Sequence, residues 1–214
     1  MNKEQIKKAI EEVKNSSKKI NFDQSIDFIA NLMDINIKKT EENVDVFVTL
    51  PHHQNIKLKI CALVNKDLKE KAKIFDRVIT DEEFMQFQDK KEIRKIARSY
   101  DIFLAQANIM GKVATVFGKI LGPKGKMPNP KAGHVLTQDT DLENIKRKIR
   151  STVRLKTKNE KIVKASIGKE STKDNELFEN FDTLYNALIH ALPKEDKNIK
   201  SIYLKTTMGK PIKI

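Results

Sequence analysis

The hydrophobic positions change period along the chain, and each change marks a change of element. Ile6, Ala9, Ile10 and Val13 recur at helical spacing among Lys and Glu, which predicts an amphipathic helix over 3–18. Ile26, Phe28, Ala30 and Leu32 then alternate with Asp27, Ile29 and Asn31. Val44, Val46, Val48 and Leu50 alternate with Asp45, Phe47 and Thr49. Both runs predict strands with one buried face, because successive side chains of a strand point to opposite sides. Pro51-His52-His53-Gln54-Asn55 reads as a connector.

From Lys57 the texture is different. The compact apolar run KLKICALV predicts a strand, followed by a polar helix over 67–75, a short strand over 77–79 and a longer helix over 81–98. The apolar strand IFLAQA (102–107) and a helix near 109–119 come next. Strands alternating with helices predict crossover units on a parallel sheet. After a loop, ILGPKGKMPNPKAGHV (120–135), a basic helix is predicted at about 140–150, with Asp139 and Asp141 near its start. Strands over 152–157 and 161–167 follow, then a helix over 174–191 presenting Leu177, Phe178, Phe181, Leu184, Leu188 and Ala191 on one side. A strand over 201–207 leads into the tail MGKPIKI.

The first segment has too little apolar material for its own core, and the last supplies the complementary half. Pairing them predicts a discontinuous α+β domain of residues 1–55 plus 153–214, with an α/β domain, 56–152, inserted between. Two strands, near 51–56 and 151–154, would join them, and two hinges side by side permit relative rotation.

Charge narrows the function. The chain carries 42 Lys plus Arg against 29 Asp plus Glu, a net +13. Such an excess attracts polyanions, nucleic acid above all. No apolar run reaches the roughly 18 residues of a membrane span, and the first helix is charged, unlike a signal peptide, so the expectation is a cytoplasmic protein with no membrane partner. Cys61 is the single cysteine and lies in an apolar strand, which predicts an inert thiol. His52, His53, His134 and His190 have no metal-binding spacing, so neither a metal nor another cofactor is expected. Gly122-Pro123-Lys124-Gly125-Lys126 fails as a nucleotide loop: Ile120 stands where the first glycine belongs, and Met127 where a hydroxyl should follow the lysine. A small-molecule enzyme built on the central α/β block is the competing reading, yet its first strand ends ALVNKDLKE, without a glycine-rich turn.

Three basic clusters remain. Lys119, Lys124, Lys126 and Lys131 lie in or beside the loop, and Lys146, Arg147, Lys148, Arg150, Arg154, Lys156 and Lys158 form the second. Lys164 and Lys169 flank Gly168, and pairing of the two chain ends would join them to Thr206, Thr207, Met208, Gly209 and Lys210. One such cluster is ordinarily a solvated face. Three, with glycine and hydroxyl residues at strand ends, suit RNA: glycine admits a ribose–phosphate backbone, threonine bonds a 2′-hydroxyl, and Met208 or Phe22 packs on a sugar or base.

These stretches carry a resemblance. ILGPKGKMPNPKAG, NFDQSIDFIANL, VTLPHH and SIYLKTTMGK, in this order and spacing, resemble the family of large-subunit ribosomal protein number one, the stalk protein beside the transfer-RNA exit site. The likeness spans essentially the whole chain, and its length is similar to archaeal members. The resemblance implies a non-enzymatic protein with a split β-α-β RNA-binding domain and an inserted Rossmann-like, three-layer α/β domain. It implies binding to large-subunit ribosomal RNA, repression through the protein's own messenger RNA, an indirect relation to exit-site transfer RNA, and a monomer away from the ribosome. Carried over by position, it places RNA contacts at Phe22, Gln24, Gly168, Lys169, Thr207, Met208 and Gly209. This chain departs from the family pattern at Asn21, where many members are basic, at Lys210, which displaces a proline, and at His53, which replaces the glycine of the connector.

Overall fold

The computed structural model describes every residue except 1–2, 18–19, 37–38, 40–41, 53–57, 88 and 139. His53, Gln54, Asn55 and Asp139 of the sequence reading therefore lie outside the described residues. In chain order the elements begin with α1 (Lys3–Asn15), β1 (Ser25–Leu32), β2 (Asp45–Thr49), β3 (Ile60–Val64), α2 (Lys69–Ala72) and β4 (Arg77–Thr80). Then come α3 (Lys90–Ser99), β5 (Ile102–Gln106), α4 (Met110–Leu121), β6 (Val135–Leu136) and α5 (Leu142–Ser151). The last are β7 (Thr152–Lys156), β8 (Ile162–Lys169), α6 (Asp174–Ala191), β9 (Ile199–Thr206) and β10 (Ile212–Lys213). The chain divides into two compact units, residues 1–55 with 151–214, and residues 56–150. The return crossing falls at Ser151 rather than 153, because Ser151 O already accepts from Leu50 N–H at 2.9 Å and Thr152 pairs with Thr49.

In the first unit, four strands form a sheet in the order β10-β9-β1-β8. Both β8 and β9 run antiparallel to β1 and so parallel to each other, and α6 connects them across it. This is a split β-α-β arrangement. Alternation builds the core directly: Ile26, Phe28, Ala30 and Leu32 of β1 are buried beneath α1 and α6, which present Ile6, Ile10, Val13, Leu177, Phe181, Leu184 and Leu188. Phe28 meets Phe181 edge-on at 5.3 Å, the arrangement favoured by the ring quadrupoles. β2 and β7 form a separate ribbon whose Val48 and Leu155 join the same core. Across its outer face Arg154 grips Asp45 through two bonds of 2.7 Å, its guanidinium 5.1 Å from the Phe47 ring centre. That grip holds the Asp45 carboxyl below the usual carboxylate range.

Two local features shape one end of this sheet. The ladder between β1 and β8 slips after Ile26: Ile26 faces Gly168 but Asp27 faces Ser166, leaving Ile167 as an extra residue. A bulge of this kind bends the strand, and here Ile167 and Gly168 are both buried. Asn180 of α6, also buried, donates to Ile167 O at 2.7 Å and to His52 O at 3.3 Å, and accepts from His52 N–H at 3.0 Å. The connector residue His52 is thus fixed to α6, and its ring Nε2 lies 2.6 Å from Glu179.

The second unit is a parallel sheet in the order β4-β3-β5-β6. Its central strands are buried on both faces. Cys61 and Leu63 face α3 and α4 with Ile93, Ile96, Val113, Phe117 and Leu121, while Ile60, Ala62 and Val64 face Leu68, Ala72, Leu142 and Ile149. Three layers result, as a parallel sheet requires. Burial pushes the Cys61 thiol up to about 12, so it carries no nucleophile at neutral pH.

The helix read over 81–98 is interrupted. Residues Asp81–Gln86 form a 3₁₀ segment, and α3 restarts where the Asp89 side chain accepts from Lys91 N–H. The helix read over 67–75 is likewise reduced to the short α2 after a 3₁₀ turn at Lys66–Leu68. The lysine-rich loop is a crossover. Gly125 turns the chain at φ 66 and Gly133 at φ 70, and His134 O then accepts from Ala105 N–H, bringing β6 beside β5. Lys126 points inward: its Nζ donates to Ala97 O at 3.0 Å and Tyr100 O at 2.6 Å, satisfying carbonyls at the end of α3. Lys119, Lys124 and Lys131 are exposed.

Candidate nucleic-acid interface

Antiparallel register brings three distant segments to one end of the split sheet. Ser25 pairs with Lys169, and Ile26 pairs with Thr206, so residues 22–24, 168–172 and 207–210 share one edge. Thr207 N–H donates to Ser25 O at 3.0 Å, and its hydroxyl donates to the same carbonyl at 3.3 Å. The hydroxyl also accepts from Ser25 N–H at 3.2 Å. A hydroxyl has one hydrogen and two acceptor lone pairs, so one lone pair remains for an outside donor such as a ribose 2′-hydroxyl. Thr207 is exposed, as are Phe22 at 51% and Met208 at 64%. Those two large apolar side chains stand in water at the same edge.

The turn that carries Met208 is held from underneath. Gln24 is 1% exposed, and its Oε1 accepts from Met208 N–H at 3.0 Å while its Nε2 donates to Ser17 at 2.7 Å. Thr206 is 0% exposed, and Gly209 N–H closes a turn onto its carbonyl at 3.1 Å. A Cβ on Gly209 would stand 2.2 Å from Thr206 Oγ1, so only glycine closes this turn without displacement. Thr206 Oγ1 itself has no hydrogen-bond partner among the described residues. A Cβ on Gly168 would meet Leu177 Cδ2 at 2.7 Å. The sequence reading places Gln24, Thr206 and Gly168 at a contact surface. The structure buries all three beneath that surface, Gly168 because the bulge and Leu177 press against it.

The charges at this edge are mixed. Lys169 Nζ lies 3.7 Å from Asp23, and Asp23 also receives Ser171 N–H at 3.2 Å and its hydroxyl at 2.7 Å. Lys14 Nζ bonds Asp174 and Thr172 O, both at 2.6 Å. Lys210 is exposed on the tail. Lys164 is set apart: it stands exposed beyond the edge, on the open face of β8 opposite Ile29, about 13 Å along the strand from Gly168. Sequence reasoning does not single out Asp23, Ser171 or Lys14. Their partners are remote in sequence, and no local pattern marks them.

Among the described residues, no group of His, Cys, Asp and Glu is arranged to hold a metal, and no helix is long and apolar enough to cross a membrane. Comparison with known proteins finds relatives along the whole chain. The chain is 37% identical over 216 residues to the large ribosomal subunit protein uL1 of Pyrococcus abyssi, covering 99% of this chain and 96% of that protein. It is 36% identical to uL1 of Nanoarchaeum equitans over 99% of this chain and 98% of that protein. Identity to uL1 of Methanocaldococcus jannaschii is 31%, over 100% and 96% of the two chains. These relatives are ribosomal proteins of archaea, not enzymes. Residues 8–210 match the model of one family over both units, and on these grounds the chain belongs to the ribosomal protein L1p/L10e family.

Proposed function

We propose that this protein is a structural constituent of the large subunit of cytoplasmic ribosomes and binds large-subunit ribosomal RNA through the edge formed by Phe22, Lys169, Thr207, Met208 and Lys210. The observation that carries the reading is the pairing of exposed Phe22 and Met208 with a Thr207 hydroxyl pinned to Ser25. Exposed apolar side chains pack on a sugar or base, and the hydroxyl recognises ribose. The discontinuous unit is then the RNA-binding domain, with residues 56–150 inserted into it. The same edge would repress translation by binding a like-shaped element of the protein's own messenger RNA. On this reading exit-site transfer RNA is an indirect partner, and the free protein is a monomer.

Thr207→Val and Met208→Ala test the reading, because neither alters the net charge of +13. Each should weaken binding to a fragment of large-subunit ribosomal RNA by roughly ten- to hundredfold. The slope of log affinity against log salt should stay unchanged, since no phosphate contact is lost. Equal losses on a scrambled RNA of the same length would defeat the proposal.

A further inference from the structure

The face of the four-stranded sheet opposite α1 and α6 has a composition of its own. Register places Lys213, Tyr203, Ile29 and Lys164 side by side across β10, β9, β1 and β8. The next row is Lys205, Asp27 and Ser166, and beyond the first on its other side lie Ser201, Asn31 and Ile162. Tyr203, Ile29 and Ile162 are half-buried; Lys164 and Lys213 are exposed. The face continues into an open cavity of about 390 Å³ at the β7–β8 turn, lined by Lys156, Lys158, Asn159, Glu160, Ile162 and Lys164. Lys156 is engaged with Asp45 at 3.4 Å, but among the described residues no carboxylate lies within ion-pairing distance of Lys158, Lys164, Lys205 or Lys213. Asp27 is the one carboxylate in these rows; burial raises its pKa, against the pull of Lys205 and Lys164.

An aromatic and an aliphatic side chain bracketed by cations meet two demands at once. A duplex offers phosphates and no free base face, so Tyr203 and Ile29 would be idle beneath it. A single strand offers both, and base–aromatic stacking tolerates any sequence. Neighbouring strands are about 4.8 Å apart, so Lys213 and Lys164, three strands distant from each other, stand at either side of the Tyr203–Ile29 pair as phosphate contacts would require. We propose that this open face is a second RNA surface, distinct from the strand-end edge. It takes a single-stranded segment, with a base on Tyr203 and its phosphates along Lys164, Lys205 and Lys213. The inference rests on the RNA reading above and extends it to a part of the fold which that reading leaves unused.

The test measures binding of the full chain to a labelled oligouridylate at several salt concentrations. Tyr203→Ala should weaken binding by roughly ten- to hundredfold, while Tyr203→Phe, which keeps the ring, should bind like the parent. Lys164→Gln should reduce the magnitude of the salt slope by about 0.7, the value for one contact with a single strand. Asp27→Asn should tighten binding. Because Tyr203 is only half-buried, melting curves verify that each variant is folded, and the Phe variant separates stacking from folding. Equal binding by the Ala and Phe variants would overturn the proposal, as would displacement by duplex RNA or polyglutamate as effective as by unlabelled oligouridylate. If oligouridylate binding ignores Tyr203 while ribosomal RNA binding still depends on Thr207, this inference fails alone. If neither RNA binds, the reading beneath it fails.

Discussion

Gln24 offers the sharpest separation of support from contact. It is buried, yet its Oε1 holds the backbone of exposed Met208, so Gln24→Leu should damage RNA binding from beneath the surface. Leucine has a similar volume, and no cavity opens. The losses include the bond from Met208 N–H at 3.0 Å and the bond to Ser17 at 2.7 Å, with a weaker approach to Glu170 at 3.5 Å. Each of the two good bonds contributes about 1 kcal/mol net. Water reaches the exposed Met208 turn and solvates its freed N–H, which keeps the cost at the lower end of the range for an orphaned donor. A leucine also gains apolar burial at that site. The expected loss of stability is therefore about 1–2 kcal/mol, or a few degrees in melting temperature. Binding of the ribosomal RNA fragment should fall by roughly tenfold, because the turn bearing Met208 must now be ordered at the moment of binding. Calorimetric melting together with titrations on cognate and scrambled RNA measures both effects. If melting falls and cognate affinity stays within twofold, Gln24 is only a core residue and the account of the turn is wrong.

Three further outcomes follow from the fold. A chain joining residues 1–55 to 151–214 through a short glycine linker should fold cooperatively and keep most of the RNA affinity, because Leu50 already bonds Ser151 and the proposed contacts all lie in that unit; tighter specific binding by an isolated 56–150 chain would refute it. Lys126→Met should destabilise the protein by about 1–2 kcal/mol in thermal melts by removing two bonds to the end of α3, with specific RNA affinity unchanged, whereas Lys124→Ala should alter neither. Asp45→Asn should cost about 1 kcal/mol, discounted for partial exposure of the pair. Because Arg154 lowers the Asp45 pKa in the fold, the difference between parent and variant should be constant above about pH 5 and vanish as pH falls through the lowered value, as followed by denaturant titration across the acid range.

The even-numbered residues of β1 explain much of what the sequence could and could not reveal. Burial of Ile26, Phe28, Ala30 and Leu32 extends by parity to Gln24, just as burial of Ile202 and Leu204 extends to Thr206. Both supports were therefore readable as inward-facing, had the alternation been carried past the last apolar residue. Gly168 was not readable. Counting from Val163, Ala165 and Ile167 places it on the open face, and only the bulge opposite Ile26 and Asp27 turns it inward. That slip is a property of two paired strands, not of one segment. The same limit hides β6, two residues that become a strand only beside β5, and the role of Lys126, whose acceptors lie at the C-terminal end of α3. The break before α3 was more accessible, since Asp89 is a good N-cap followed by helical periodicity.

Asn180 ties the end of the sheet that carries the proposed RNA edge to the core of its unit. Its one amide is shared by the end of β8 at Ile167, the connector at His52 and a core turn of α6 between Leu177 and Phe181. Breaking any one of these attachments leaves a buried polar group unmet, so the three segments form a single opening unit rather than three fraying ends. Amide hydrogens around residues 52 and 167 should then exchange with the slow, cooperative rhythm of the α6 core, although one belongs to a connector. On the proposed reading, the edge offered to RNA is braced by a bond network rooted in the α6 core.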